Sequence, residues 1–262
     1  MRFVRRNLLN AYAVLALAYL FLPIAIVVAF SFNNPRGRFN YTWEGFTFKN
    51  WTHPLDYPGL GSALAVSIEI AVLSAIVATA LGTLIALALV RYRFRGSATT
   101  NLLIFIPMTT PEIVMGASLL TLFLNWKIPQ GFGTILIAHI MFNISYVVVT
   151  VRARLVGFDR HLEEAAMDLG ANEIVTFFRV TLPLIAPGIL AAALLSFALS
   201  IDDFVITYFN AGTVTTFPLF VWGAARVAVP PQINVIGTAI FVVAVGGMLV
   251  NVLWQNRRAR RA

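Results

Sequence analysis

The chain has 262 residues, of which 59% are hydrophobic and 11% charged, where soluble domains carry about 25% charged residues, so water is not its main solvent. It contains no cysteine, which excludes disulfides, thiolate metal sites and cysteine nucleophiles. The formal net charge of +8 sits in short basic clusters flanking apolar runs, which reads as a set of topology signals rather than a nucleic-acid surface.

The first apolar run, residues 8–30, follows Arg2, Arg5 and Arg6. It is longer than the 7–15-residue core of a cleavable signal, and it ends in Phe30-Ser31-Phe32-Asn33-Asn34-Pro35 without a small-residue cleavage site. It is therefore expected to be a retained helix. The segment 31–61 is rich in aromatics and turn residues, among them Pro35, Gly37, Gly45, Pro54, Pro58 and Gly59. Packing over a bundle mouth, contact with an external partner and a plain loop all fit it. Further runs at 63–90, 102–124, 135–151, 187–209 and 233–254 are each long enough to cross about 30 Å of hydrocarbon, which gives six expected spans. Between the last two, 210–232 carries Pro218, Pro230 and Pro231 around an expected short helix at 219–227. The expected organisation is a first helix and external loop over 1–60, a core over 61–254, and a basic tail over 255–262.

An even number of spans puts both termini on one side. Fourteen of the basic residues fall on that side: Arg2, Arg5, Arg6, Arg91, Arg93, Arg95, Arg152, Arg154, Arg160, Arg179, Arg257, Arg258, Arg260 and Arg261. Five fall on the other: Arg36, Arg38, Lys49, Lys127 and Arg226. The positive-inside rule then predicts cytoplasmic termini in a multi-pass membrane protein.

The cytoplasmic segment 152–186 holds a patterned stretch. Leu162, Ala165, Ala166 and Leu169 recur at helical spacing, with Glu163, Glu164 and Asp168 on the other face. Asp159 suits its N-terminus and Gly170 its left-handed end, while a second short helix is expected over 172–178 until Leu182-Pro183 breaks it. The pattern of this two-helix knob fits docking against the chain's own helix ends and docking against a separate subunit equally well.

Glu164-Ala165-Ala166, then three residues, Gly170, nine residues and Val180-Thr181-Leu182-Pro183 resemble the cytoplasmic EAA loop (residues 157–186) of ABC importer permeases, with Val180 where the family usually has Ile. The resemblance extends over about 60–254 and is strongest to the second permease of spermidine/putrescine importers. That narrower likeness rests on Arg91-Tyr92-Arg93-Phe94-Arg95-Gly96, Pro111-Glu112-Ile113-Val114-Met115, Asp168-Leu169-Gly170-Ala171 and Leu199-Ser200-Ile201-Asp202-Asp203. It implies an all-α bundle of six spans, the first helix wrapping a neighbour. Two copies of a separate ATPase holding ATP and Mg, a second permease and an external solute-binding protein are the implied partners, besides lipid. ATPase coupling is implied for Glu163, Glu164, Ala165, Ala166, Asp168, Leu169, Gly170, Leu182 and Pro183.

The sequence has no Gly-x-x-x-x-Gly-Lys-Ser/Thr loop, so neither nucleotide binding nor any other cofactor is expected of this chain itself. His53, His139 and His161 occur singly without metal-ligand spacing; no metal site and no catalytic residue is expected, and His139 reads as a packing hydrogen-bond partner within the fourth run. Four acids lie within apolar runs, where each costs at least about 2.5–3.5 kcal/mol at the bilayer centre: Glu69, Glu112, Asp202 and Asp203. No Lys or Arg accompanies them. They read as a route for a cation, with Glu112 near mid-membrane behind Pro107 and Pro111 and Asp203 favoured over Asp202, whereas Glu69 reads first as a hydrated or packing acid. The small-residue stripes Gly188/Ala192/Ser196/Ser200 and Ala78/Gly82/Ala86 read as helix packing. A permease for another small solute and an ion-coupled secondary transporter are the alternative functions, although the latter leaves the EAA loop unexplained and would carry inverted repeats, of which none is evident.

Overall fold

The computed structural model describes residues 2–92 and 94–259, with side chains over 8–92 and 94–247. Arg93, Arg260 and Arg261, together with the side chains of Arg2, Arg5, Arg6, Arg257 and Arg258, lie outside the described residues.

The described chain is helical, with two isolated β-bridges, Asn33 to Phe46 and Phe39 to Val229. In order the helices are α1 (Arg2–Ser31), α2 (Lys49–Thr52), α3 (Leu60–Arg91), α4 (Ser97–Thr109), α5 (Glu112–Asn125), α6 (Phe132–Val156), α7 (His161–Asp168) and α8 (Glu173–Thr176). A π turn (Phe177–Thr181) then leads into α9 (Leu182–Ile201), followed by α10 (Val205–Asn210), α11 (Phe217–Val227) and α12 (Pro231–Ala259). Four of the described helical stretches are long and apolar enough to cross a membrane by themselves: Leu8–Ser31, Leu60–Arg91, Phe132–Val156 and Glu173–Ile201.

Two compact units result, one formed by 1–61 with 221–262 and the other by 62–220. In the first, α1 packs on α12, the last expected span. The segment after α1 is built on buried asparagines. Asn33 donates to Asn40 Oδ1 at 2.6 Å and to the Thr42 carbonyl at 2.7 Å, and Asn50 donates to the Asn33 carbonyl at 2.7 Å. Phe32 stacks on Phe46 and Trp51 at 5.5 and 5.4 Å between ring centroids. Side-chain amides satisfying loop carbonyls let irregular backbone be held in one shape.

The second unit centres on α3, α6 and α9. Ala78 and Ala86 of α3, Val147, Val148 and Val151 of α6, and Ile185 and Ala192 of α9 share one core. Both small-residue stripes therefore act in packing, as their spacing predicts. At Gly82 the helices touch backbone to side chain, and a Cβ there would stand 2.6 Å from Val147 Cγ1. A β-branched neighbour cannot swing aside, so Gly82→Ala should cost about 1–3 kcal/mol through overpacking. The measurable result is a lower melting temperature of the purified protein. Gly133→Ala, whose added methyl meets nothing within 4 Å, should leave it unchanged.

Two expected spans are not straight. The third run (102–124) is divided into α4 and α5, which meet at 109°. Proline disfavours helical geometry in the residue before it, and Thr110, before Pro111, is extended at φ −77°, ψ 132°. The fifth run stops being helical after Ile201 and restarts at Val205, leaving Asp202 and Asp203 in the break. Conversely, Leu182-Pro183 does not end a helix: α8, the π turn and α9 run on as one stretch, Glu173–Ile201. The wider π turn over Phe177–Thr181 displaces the carbonyl four residues before Pro183, with which the ring would otherwise collide.

Candidate functional site

The two helix breaks face one another, because α5 packs on α10. Between them lies a cavity of about 350 Å³ lined by Glu112, Asp202 and Asp203, with Tyr146, Phe142 and Met115 among its other walls. Irregular backbone at membrane depth is tolerated where it lines such a space. Close contact is possible because Gly116 lacks a side chain: a Cβ there would meet the Phe209 ring at 2.8 Å.

The three acids differ in what holds them. Glu112 opens α5, where the helix dipole favours negative charge, and it is exposed. Asp202 is exposed as well. Asp203 is held by the protein: its side chain is 6% exposed, and Oδ2 accepts the Thr207 N–H and the Thr207 hydroxyl, each at 2.8 Å. It thereby caps α10. His139 Nε2 stands 3.3 Å from the same oxygen. Glu69, the fourth candidate, is exposed on α3 and does not line the cavity.

His139 does serve as a hydrogen-bonding partner, in a larger cluster than its sequence position reveals. Nδ1 lies 2.6 Å from Ser200 Oγ and Nε2 2.9 Å from Thr207 Oγ1, while Ser74 donates to Ser200 at 3.0 Å. All four residues are buried, and they join α3, α6, α9 and α10 at one imidazole. The available signal was the placement of Ser200, Asp203 and Thr207 at i, i+3 and i+7. No group of His, Asp or Glu among the described residues could hold a metal ion.

At the other end of α3 and α6 is the α7/α8 knob. Asp159 Oδ1 accepts the His161 N–H at 3.0 Å at its start. At its end Gly170, at φ 90°, donates to the Met167 carbonyl at 2.9 Å and Ala171 donates to the Ala166 carbonyl at 3.1 Å. These two bonds form a Schellman cap. Asn172 Oδ1 then caps α8 by accepting the Val175 N–H at 2.8 Å. Glu163 does not lie on a solvent face with Glu164 and Asp168. It turns inward and pairs with Arg91, the last residue of α3, and with the Thr181 hydroxyl in the π turn. Arg160 donates to the Val90 carbonyl at 2.9 Å, a second tie to the same helix end. Glu164 pairs outside with His161, and that hydrogen bond, with Asp159 nearby, raises the imidazole pKa. The apolar residues stay open: Leu169 is 90% exposed and Leu162 48%, and Ile174 and Phe178 are exposed as well. Of the other residues singled out, Ala165 and Asp168 are exposed, Ala166 is half-buried, and Leu182 and Pro183 open α9.

Comparison with known proteins fits both ends of this arrangement. The family described as binding-protein-dependent transport system inner membrane component matches residues 78–261. The chain is 42% identical over 228 residues to the spermidine/putrescine transport system permease protein PotC of Escherichia coli (strain K12), covering 87% of this chain and 86% of that protein. It is 39% identical over 234 residues to the putrescine transport system permease protein PotI of the same organism, covering 86% and 83%. Among solved structures, a chain of a bacterial ABC transporter involved in the import of the acidic polysaccharide alginate superimposes with a TM-score of 0.67 over 95% of both chains. At 18% identity that likeness concerns the fold alone.

Proposed function

The chain belongs to the family of binding-protein-dependent transport system inner membrane components, and from that membership we propose the following reading of its site. It is a membrane permease subunit of an ATP-driven importer, and its cargo is a polyamine of the spermidine and putrescine class. The observation that carries the cargo reading is the cavity at the two helix breaks, lined among the described residues by three carboxylates and by no Lys or Arg. A polycation passing through supplies the positive charge those acids lack, and separate acids divide its binding into successive weak steps. Selectivity rests mainly with an external solute-binding protein, so the path itself needs only modest affinity.

ATP and Mg are held by a separate ATPase, present in two copies, which receives the open apolar face of the knob around Leu162 and Leu169. The inward pairing of Glu163 with Arg91 and Thr181 supports this, since it fixes the knob to α3 and to the π turn that leads into α9 and leaves the outer face for a partner. A second permease and lipid cover the apolar surface of α1, on which Tyr12, Leu15 and Tyr19 are exposed. Reconstitution tests the whole reading: with its partner permease, ATPase and binding protein, the chain should import radiolabelled putrescine or spermidine into ATP-loaded vesicles. ATP-dependent uptake of other solutes but neither polyamine would refute the cargo.

Orientation follows from the fourteen-to-five division of basic residues. A reporter fused after residue 262 should read cytoplasmic and one inserted at Gly45 external. The reverse reading at either position would overturn the topology.

A further inference from the structure

The two oxygens of Asp203 are used unequally. Oδ2 takes the Thr207 N–H and hydroxyl at 2.8 Å and lies 3.3 Å from His139 Nε2. Oδ1 receives one long bond, from the Ile206 N–H at 3.4 Å. The imidazole cannot turn away, because Ser200 holds its other nitrogen at 2.6 Å and Ser74 holds Ser200, all within the buried interior. One carboxylate oxygen is thus committed to the protein, and the other keeps acceptor capacity on a residue that lines the cavity.

Such an acceptor distinguishes two kinds of organic cation. An ammonium group is a compact charge that one oxygen can satisfy, whereas a guanidinium is a planar fork that pairs best with both oxygens of a carboxylate. At a buried group an unmatched N–H costs its lost hydration, so the mismatch weighs more there than at exposed Glu112 or Asp202, which take either cation with water present. Resting on the polyamine reading above, we infer that His139 is a positioning residue for specificity. With Thr207 it occupies Oδ2, leaves Asp203 a single-oxygen acceptor, and biases the path toward primary amines over guanidines.

The test uses the assembled transporter in lipid nanodiscs without the binding protein, carrying radiolabelled spermidine. Displacement is compared for 1,4-diaminobutane and its guanidino analogue, 4-guanidinobutylamine. The unmodified complex should favour the diamine. His139→Leu should shift the ratio toward the guanidine on the order of tenfold, the value of one added charge-assisted hydrogen bond. Thr207→Val removes the hydroxyl bond to the same oxygen while the backbone N–H stays, and it should shift the ratio in the same direction, so the test does not depend on the histidine variant folding. His139→Gln, whose amide can donate to Oδ2, should retain the diamine preference, which a role in packing alone would not require. An unchanged ratio in both His139→Leu and Thr207→Val overturns the inference while leaving the cargo reading intact. Failure of the unmodified complex, supplied with its binding protein and ATP, to import spermidine or putrescine removes the cargo reading, and this inference with it.

Discussion

Vesicles carrying Glu112→Gln and Asp202→Asn together should import radiolabelled polyamine at less than about a tenth of the unmodified rate, with the assembled transporter present in normal amount. Both acids are exposed toward the cavity, and no hydrogen bond to another group ties either side chain into the described structure, so the amides keep size and remove only charge. Each lost charge-assisted contact is worth about 1.5–3 kcal/mol, and a single such loss already accounts for tenfold. Uptake at the unmodified rate would show that the cavity acids take no part in transport.

Asp203 should behave differently from that pair. Asp203→Ala removes the acceptor for Thr207 and the neighbour of His139, leaving buried donors unpaired at about 1–3 kcal/mol each, so the protein itself should melt earlier. Asp203→Asn can keep its remaining oxygen on Thr207 and turn its NH₂ outward, so it should lower uptake with little change in melting temperature. Parallel melting and uptake curves for the two variants separate scaffold from path.

The apolar runs, the knob and its cap at Gly170 were legible in the sequence, because hydropathy, periodicity and left-handed glycine geometry are local properties. The break at Pro111 was legible as a kink, but its 109° is set by the packing of α5 on α10, a tertiary term. The break at Asp202-Asp203 has neither proline nor glycine to announce it. There the carboxylate of Asp203 competes for the backbone N–H groups of Ile206 and Thr207, which its position in an apolar run does not reveal. His139 was readable as a hydrogen-bond partner, whereas its neighbour Asp203 lies far along the chain. Glu163 shows the opposite error: helical spacing groups it with Glu164 and Asp168, and only the end of α3 brings Arg91 near enough to turn it inward.

The same knob supplies the other large effect: Gly170→Leu should leave the ATPase hydrolysing ATP while most import is lost. A Cβ at Gly170 meets nothing within 4 Å, so the cost is one of backbone conformation and not of collision. At φ 90° a leucine pays about 1–2 kcal/mol, and the chain can relieve that only by giving up the bonds from Gly170 and Ala171 that close α7. Rotation of α7 then carries Leu162 and Leu169 away from the surface they are proposed to meet, while Glu163 keeps its tie to Arg91. Because the defect is conformational, it should be graded by tolerance for the left-handed region. Gly170→Asn should keep most import, Gly170→Ala less and Gly170→Leu least, with reporter topology and protein amount alike in all three. Equal import by the leucine and asparagine variants, measured against ATP consumed, would show that the turn at Gly170 does not transmit the stroke.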